Sequence, residues 1–498
     1  MLVAFLSQYG FYLAITFVIT WAVVRYVQRL SEPPGPVSFP FFGYLPLLFS
    51  KQPLVQNLNE LSKQYGPVFQ VQSGEINQIV LNSHEAIKEA FKRPEFSVRT
   101  PSIFNRIVLE AEENMLTFAN GERWRQSRKI AQHALGLFSS SRNAQLETNV
   151  HACVRWLIEH WKDRAGEPIT VKADLMSCTG ATIASLCFGS QADPTDPFLA
   201  NLVSLMQDFF TRLGGPFGLW IPEMFPSLTP LFHFKIKSAV TSYKRFVDYI
   251  RDKLLTYEPN DEVRTIADSL CKAGQELASE EKANEQDIRR IGIEIYDAGF
   301  FTTAENLEWL LATMAAFPNF QEKVHKEIDA NVRSGELPCL EEHWDRLHFS
   351  KACVIEVLRW ATNFTIGLPR YLEQDLDLFG YRLRKGSYVI SNLWGVNNDP
   401  QKFQDPRKFD PNRYIDADGK FDKIKSETLL SFSWGKRRCP GESIAKQQLF
   451  LMFTAILQAF RIEVAPENSD LAFMEGVDFS TFISPGPHKL IFIPRLKA

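Results

Sequence analysis

Phe432-Ser433-Trp434-Gly435-Lys436-Arg437-Arg438-Cys439-Pro440-Gly441 joins a strand-like segment to a last helix whose apolar residues run through Phe460. A cysteine that ligates a metal must do so as thiolate. A helix amino terminus just beyond Cys439 and the neighbouring Lys and Arg side chains favour that form. Gly435 permits a tight turn, and Gly441 lets the backbone come close to a flat ligand. Pro440 stands where an early helical N–H would be unpaired anyway, and Phe432 can shield a face of the ligand. The plain alternative is a basic loop with one packed cysteine.

The other cysteines, Cys153, Cys178, Cys187, Cys271, Cys339 and Cys353, are scattered and free of CxxC spacing. With Cys439 they are odd in number, which argues against a disulfide framework or a zinc site. Each is by default a small buried hydrophobe.

At the amino end, Met1 to Val24 carries no charged side chain. As a helix it would run about 36 Å, enough to cross a hydrocarbon layer of about 30 Å. Arg25 and Arg29 follow, and the positive-inside rule then places everything downstream in the cytosol. Pro33-Pro34-Gly35-Pro36 makes a stiff, non-helical connector. The expected organisation is a transmembrane signal-anchor helix over 1–27, a basic and proline-rich hinge over 28–40, and one catalytic domain over 41–498.

Within that domain, Phe69 to Val71 and Gln78 to Leu81 read as short strands around Ser73-Gly74. Helical patterns dominate from about His84. A long one runs from about Glu285 to Phe317, where Pro318 stops it, and spacing resumes over Asn319 to Val332. Another spans about Phe349 to Ala361. Between Gly367 and Phe421 strands and turns take over. The fold class is therefore mainly α with small β-sheets (α+β). Apolar residues make up 45% and charged ones 23%, which excludes disorder. The net charge of -3 gives no nucleic-acid footprint. The 40 phenylalanines fit a greasy cavity, although core filling accounts for most of them.

With Phe432, Gly435, Arg437, Cys439 and Gly441 at their spacing, the cysteine loop resembles the fingerprint of the cytochrome P-450 family. The resemblance spans the whole chain. It implies a haem cofactor, iron protoporphyrin IX, with Cys439 as axial ligand of the iron. It further assigns Trp124 and Arg128, spaced i,i+4, together with Arg370 and Arg437, to the haem propionates. Glu356 and Arg359, at i,i+3, would join Arg413 in a structural network; Asn412 replaces a Glu common in the family. Asp297-Ala298-Gly299-Phe300-Phe301-Thr302-Thr303 resembles the oxygen-binding segment, with Ala298 and Gly299 leaving a notch for dioxygen and Thr302 relaying protons. Phe301 stands where many relatives carry an acid. Glu305 or Asp297 could take that part through water, against the simpler reading of Glu305 as a salt-bridged or solvent-facing side chain.

Asn392-Leu393-Trp394, Asn398-Asp399-Pro400 and Cys439-Pro440-Gly441-Glu442 look most like animal microsomal enzymes that oxidise steroids and xenobiotics. Such an enzyme inserts one oxygen atom of dioxygen into a lipophilic substrate. No nicotinamide or flavin fingerprint is present, so electrons must come from a partner, which the resemblance makes NADPH–cytochrome P-450 reductase at the endoplasmic reticulum membrane. Arg123, Arg125, Lys129, Lys436 and Arg438 form a candidate docking patch. The aromatics of Asp208 to Phe234 match the family's substrate-channel roof. Two rivals stand beside this reading: a haem-thiolate enzyme that rearranges peroxides without external electrons, and a non-catalytic haem carrier or sensor.

Overall fold

A computed structural model describes residues 12, 16, 19–20, 31–39, 41–50, 52–103, 105–107, 116–138, 144–189, 192–213, 220–255, 262–278, 285–478 and 482–495. The expected anchor, 1–27, lies outside the described residues apart from residues 12, 16, 19 and 20. Among the described residues no helix is long and apolar enough to cross a membrane.

The first elements are α1 (Leu54–Tyr65), β1 (Val68–Ser73), β2 (Ile76–Leu81), α2 (His84–Lys92), α3 (Gly121–Leu137), α4 (Ala144–Lys162), β3 (Pro168–Ile169) and α5 (Lys172–Phe188). Then come α6 (Pro197–Leu213), α7 (His233–Leu255), α8 (Ile266–Ala278), α9 (Glu285–Ala316), α10 (Pro318–Asn331) and α11 (His348–Trp360). The carboxy-terminal part holds β4 (Arg370–Tyr371), β5 (Leu376–Leu378), β6 (Tyr381–Leu383), β7 (Tyr388–Ser391), α12 (Glu442–Ala459), β8 (Phe460–Val464), β9 (Val477–Asp478), β10 (Ile483–Ser484) and β11 (Leu490–Pro494).

β1 and β2 pair antiparallel from Val68↔Leu81 to Ser73↔Ile76, and β2 runs parallel to β7 in a four-stranded sheet ordered β1-β2-β7-β4. The turn between β1 and β2 needs Gly74. Its φ is +59, and a Cβ there would lie 2.3 Å from the carbonyl oxygen of Met224. The hairpins β5–β6 and β9–β10 and the sheet β3-β11-β8 are smaller.

Apolar residues on every side of α9, among them Ile291, Ile293, Leu307, Leu310 and Leu311, make it a central helix with partners all round. It meets α5, α7, α8, α11, α12 and β8. Proline at the first position of α10 removes a donor, so the chain breaks at Phe317, where ψ is 73. α5 comes closest to α9 where side chains are small: a Cβ on Gly299 would lie 3.0 Å from Ile183, and one on Gly180 would lie 3.3 Å from Phe300. The Thr179 hydroxyl donates to the Phe300 carbonyl at 3.0 Å, in the middle of the segment that the sequence singles out.

Candidate functional site

The cysteine loop folds back against α2. Gly435 has φ +76, and a Cβ there would lie 2.0 Å from the Phe91 carbonyl oxygen, so only glycine fits. The Cys439 N–H donates to the Phe432 carbonyl at 2.9 Å, bringing the ends of the loop together. Gly441 caps α12, and a Cβ on it would meet nothing within 4 Å, which leaves room beside the sulfur. Burial pushes the Cys439 thiol up; the Gly441 amide, Arg128 and Arg438 pull it down, and Glu442 opposes them. The depressed pKa expected from the sequence is thus not a property of the loop alone. Desolvation is the largest influence on it, ahead of the Gly441 amide and the arginines.

Beside the loop, Arg99, Arg128, Arg370 and Arg437 are buried together. Arg437 donates from Nε to Ser97 at 2.9 Å and from Nη2 to Asn120 Oδ1 at 3.1 Å, with its guanidinium 3.9 Å from the centre of the Trp124 ring. Arg99 donates to the carbonyls of Thr117 at 2.9 Å and Leu368 at 2.8 Å. Arg128 donates to the Arg438 carbonyl at 2.5 Å, but among the described residues its Nε has no acceptor, nor do Nε and Nη1 of Arg370. Burial lowers all four, Arg99 to about 9 and Arg437 to about 8, and the mutual repulsion of the arginines adds to the effect. The carboxylate that faces Arg99 and Arg437 is Glu294, pushed by burial up to about 8 while accepting the Thr117 N–H at 3.0 Å. Buried cations with idle donors suit an anion placed between them.

Glu294, Ala298 and Thr302 are spaced i, i+4 and i+8, so they share one face of α9. Ala298 is exposed and Thr302 half-buried although the helix is central, so that face borders an internal space whose near end is the arginine cluster. The Thr302 hydroxyl donates to the Ala298 carbonyl at 2.8 Å, and Asn306 Nδ2 donates to the Thr302 carbonyl at 2.8 Å. Gly299 points elsewhere, at Ile183, where it serves helix packing rather than the expected notch. Phe301 meets Phe482 edge-on at 5.6 Å.

Residues 33–492 match the family model described as Cytochrome P450. The chain belongs to the cytochrome P450 family. It is 28% identical to Cytochrome P450 2H2 of Gallus gallus over 94% of each chain. It is 29% identical to Cytochrome P450 2D1 of Rattus norvegicus over 93% of this chain and 92% of that one. With Cytochrome P450 1A1 of Platichthys flesus it shares 30% identity over 89% of this chain and 88% of that one. Members of the family are haem monooxygenases.

Haem carries two propionates, and the residues of this P450 fit it: the unpartnered donors of Arg128 and Arg370 are free for carboxylates, and the open side of Gly441 suits a flat ring. Arg99 and Glu294 belong to the same cluster and were missed from the sequence. Arg99 reaches it through an isolated bridge to Arg370, a long-range pairing with no local signature.

Glu356 lies at the centre of a buried set of polar contacts. Glu356 accepts Arg359 Nε at 2.8 Å and Nη2 at 2.7 Å, lies 3.4 Å from Arg413 Nε, and accepts the Asp410 N–H at 2.9 Å. The two acids offered in place of position 301 are otherwise engaged. Asp297 accepts the Tyr243 hydroxyl at 3.1 Å, and Glu305 pairs with Lys172, the simpler of its two readings. In the expected roof, Phe209 packs on Tyr243 at 4.9 Å and Phe225 on Phe41 at 5.5 Å, while residues 214–219 lie outside the described residues.

Proposed function

We propose that this P450 is a membrane-anchored enzyme of the endoplasmic reticulum, with its catalytic domain in the cytosol, that inserts one oxygen atom of dioxygen into a lipophilic substrate such as a steroid, fatty acid or xenobiotic. Cys439 would hold the haem iron through its sulfur, with NADPH–cytochrome P450 reductase supplying the electrons. The observation that carries the reading is the buried arginine cluster with idle donors around the cysteine loop, at one end of the α9 face that bears Thr302. When bound, haem supplies the activation of dioxygen.

The protein's own residues hold, orient and enclose. Arg128, Arg370 and Arg437 would neutralise the propionates, with Trp124 supporting Arg437. The Gly441 amide, aimed at the Cys439 sulfur, stabilises negative charge there. Thr302 presents a hydroxyl, now donating to Ala298, that can turn to hold a proton or water over the reacting space. Phe301, Phe482 and Phe364 give an apolar wall that excludes water and selects greasy substrates. Arg123, Arg125, Lys129, Lys436 and Arg438 are exposed on the side of the cysteine loop, and the Arg128–Arg438 hydrogen bond joins their two elements into one basic face suited to an acidic reductase.

Reduced protein gassed with carbon monoxide is expected to give the thiolate-type absorption band, and Cys439→Ala to abolish it with all turnover. A globin-type band, or an unaffected variant, would end this reading. The apolar seat of Phe301 also keeps a second reading in play, peroxide rearrangement without external electrons. NADPH consumption in the presence of reductase supports the first, and hydroperoxide turnover without it the second.

A further inference from the structure

Away from the cysteine loop, where α9, the start of α5 and the segment joining β10 to β11 meet, four titratable side chains come together: Glu305, Glu308, Lys172 and His488. Glu305, Glu308 and His488 are buried, whereas the Lys172 side chain keeps 40% of its exposure. Lys172 Nζ pairs with Glu305 Oε1 and lies 3.7 Å from Glu308 Oε2. His488 Nδ1 lies 4.0 Å from Glu308 Oε1 and 2.8 Å from the Gly486 carbonyl. The other Glu305 oxygen accepts the Ser484 hydroxyl at 2.5 Å. A carboxylate buried in an apolar face is costly unless it is paired, and the two Glu305 oxygens have partners on two different elements, Lys172 and Ser484.

Those partners tie the surface to the reacting space. Ser484 belongs to a strap, residues 482–488, whose further ties include the Ile483 N–H to Asn363 at 2.8 Å, the Gly486 N–H to Phe473 at 2.9 Å, the Trp309 indole N–H to the Ile483 carbonyl at 3.4 Å, the pairing with β9 and the His488 ring on Phe473. At its start, Phe482 packs on Phe301 at 5.6 Å and Phe364 at 6.5 Å. Phe301 and Glu305 are four residues apart on one face of α9, so the helix meets Phe482 with a ring and grips Ser484, two residues on, with a carboxylate. Phe301 adjoins Thr302 in sequence. Slack in the grip on Ser484 would loosen the Phe482–Phe301 contact, one residue along α9 from Thr302.

We propose that Lys172, Glu305 and Ser484 form a positioning relay that fixes the 482–488 strap on α9, so that Phe482 closes against Phe301 and Phe364 and limits the size of ligand admitted beside Thr302. This rests on the reading of Cys439 and Thr302 as parts of one reacting site.

The test uses haem-loaded protein titrated with two probes that shift its absorption, imidazole and the much longer 1-(4-biphenylyl)imidazole. Ser484→Ala is expected to change the dissociation constant of the long probe about fivefold or more, the effect of losing a hydrogen bond to a charged group. Imidazole, too small to meet the aromatic wall, should be unaffected. Ser484→Thr keeps the hydroxyl and should restore the wild-type constant, and Lys172→Met, a change at the surface, should act in the same direction as the alanine variant. Amide exchange at Ile483 and Gly486 should speed up in Ser484→Ala. If both probes respond equally, or neither does, the relay is refuted. Wild-type protein without the thiolate-type carbon monoxide band would instead refute the reading of Cys439.

Discussion

Arg370 is the clearest residue-scale sign that this protein is built around an anion, because two of its buried donors have no acceptor. Replacing it should therefore act with opposite signs in the two forms of the protein. In haem-free protein, Arg370→Leu removes a desolvated and repelled charge and should raise urea stability by about 1–3 kcal/mol. In loaded protein the same change should speed haem loss, measured by transfer to a scavenging globin; equal signs in both forms would refute the propionate assignment. At position 301 the ring of Phe301 lies against Phe482, so an acid placed there would be poorly solvated and hold its proton towards neutral pH. Phe301→Asp should change the fraction of NADPH consumption that ends in product, and unchanged coupling rejects proton supply as the limit. The sequence disclosed the cysteine loop because its chemistry is written in ten consecutive residues. Arg99 and Glu294 stayed hidden because only tertiary contacts bring them to Arg437. The cysteine's own pKa was misjudged since burial, which no local spacing reveals, is its largest cause.

At the scale of elements, periodicity and prolines sufficed where a segment's neighbours are apolar on every side. The expected break at Pro318 falls between α9 and α10, and the last helix, α12, begins at Glu442 and gives way to β8 at Phe460. Less legible was what each turn of α9 faces, because that depends on partners from α5, the 116–120 segment and the strap. Glu294 shows the consequence. Its carboxyl, ordinarily near 4.5, is held by burial up to about 8 while it clamps the Thr117 amide. The folded state therefore binds a proton between those values that the unfolded chain has released. The contribution to stability is present in full below the unfolded value and is lost as pH rises towards the folded one. A tenfold change in proton affinity is worth about 1.4 kcal/mol, so a carboxyl this displaced should leave a measurable slope. Unfolding of haem-free protein should show stability falling between about pH 5 and 8, and Glu294→Gln should flatten that fall. Parallel pH curves for both proteins would mean that Glu294 is ionised when folded.

At the scale of the whole molecule, two faces differ in kind. The basic residues lie by the cysteine loop, while exposed apolar side chains gather where the hinge meets the segment after α6. Phe39, Phe41, Phe42 and Phe49 are exposed at the end of the hinge and just after it, and Leu231 and Phe234 are exposed just before and at the start of α7. The two segments are joined, since Phe41 packs on Phe225 and the Glu75 N–H donates to the Met224 carbonyl at 2.8 Å. Aromatic rings this exposed suit an apolar phase better than water, with about 1.5–3 kcal/mol available for each ring fully buried. A chain beginning at residue 31, freed of the apolar segment that precedes the hinge, should therefore still bind uncharged phosphatidylcholine vesicles. The binding should persist in high salt, because it does not depend on charge. Phe42→Ser combined with Phe234→Ser should weaken it at least about tenfold, whereas Lys129→Glu on the basic face should leave it intact and slow electron transfer from an added reductase. Sedimentation with vesicles separates the cases: if the shortened chain stays in solution, or if the basic-face variant alone releases it, the apolar face is not what meets the bilayer.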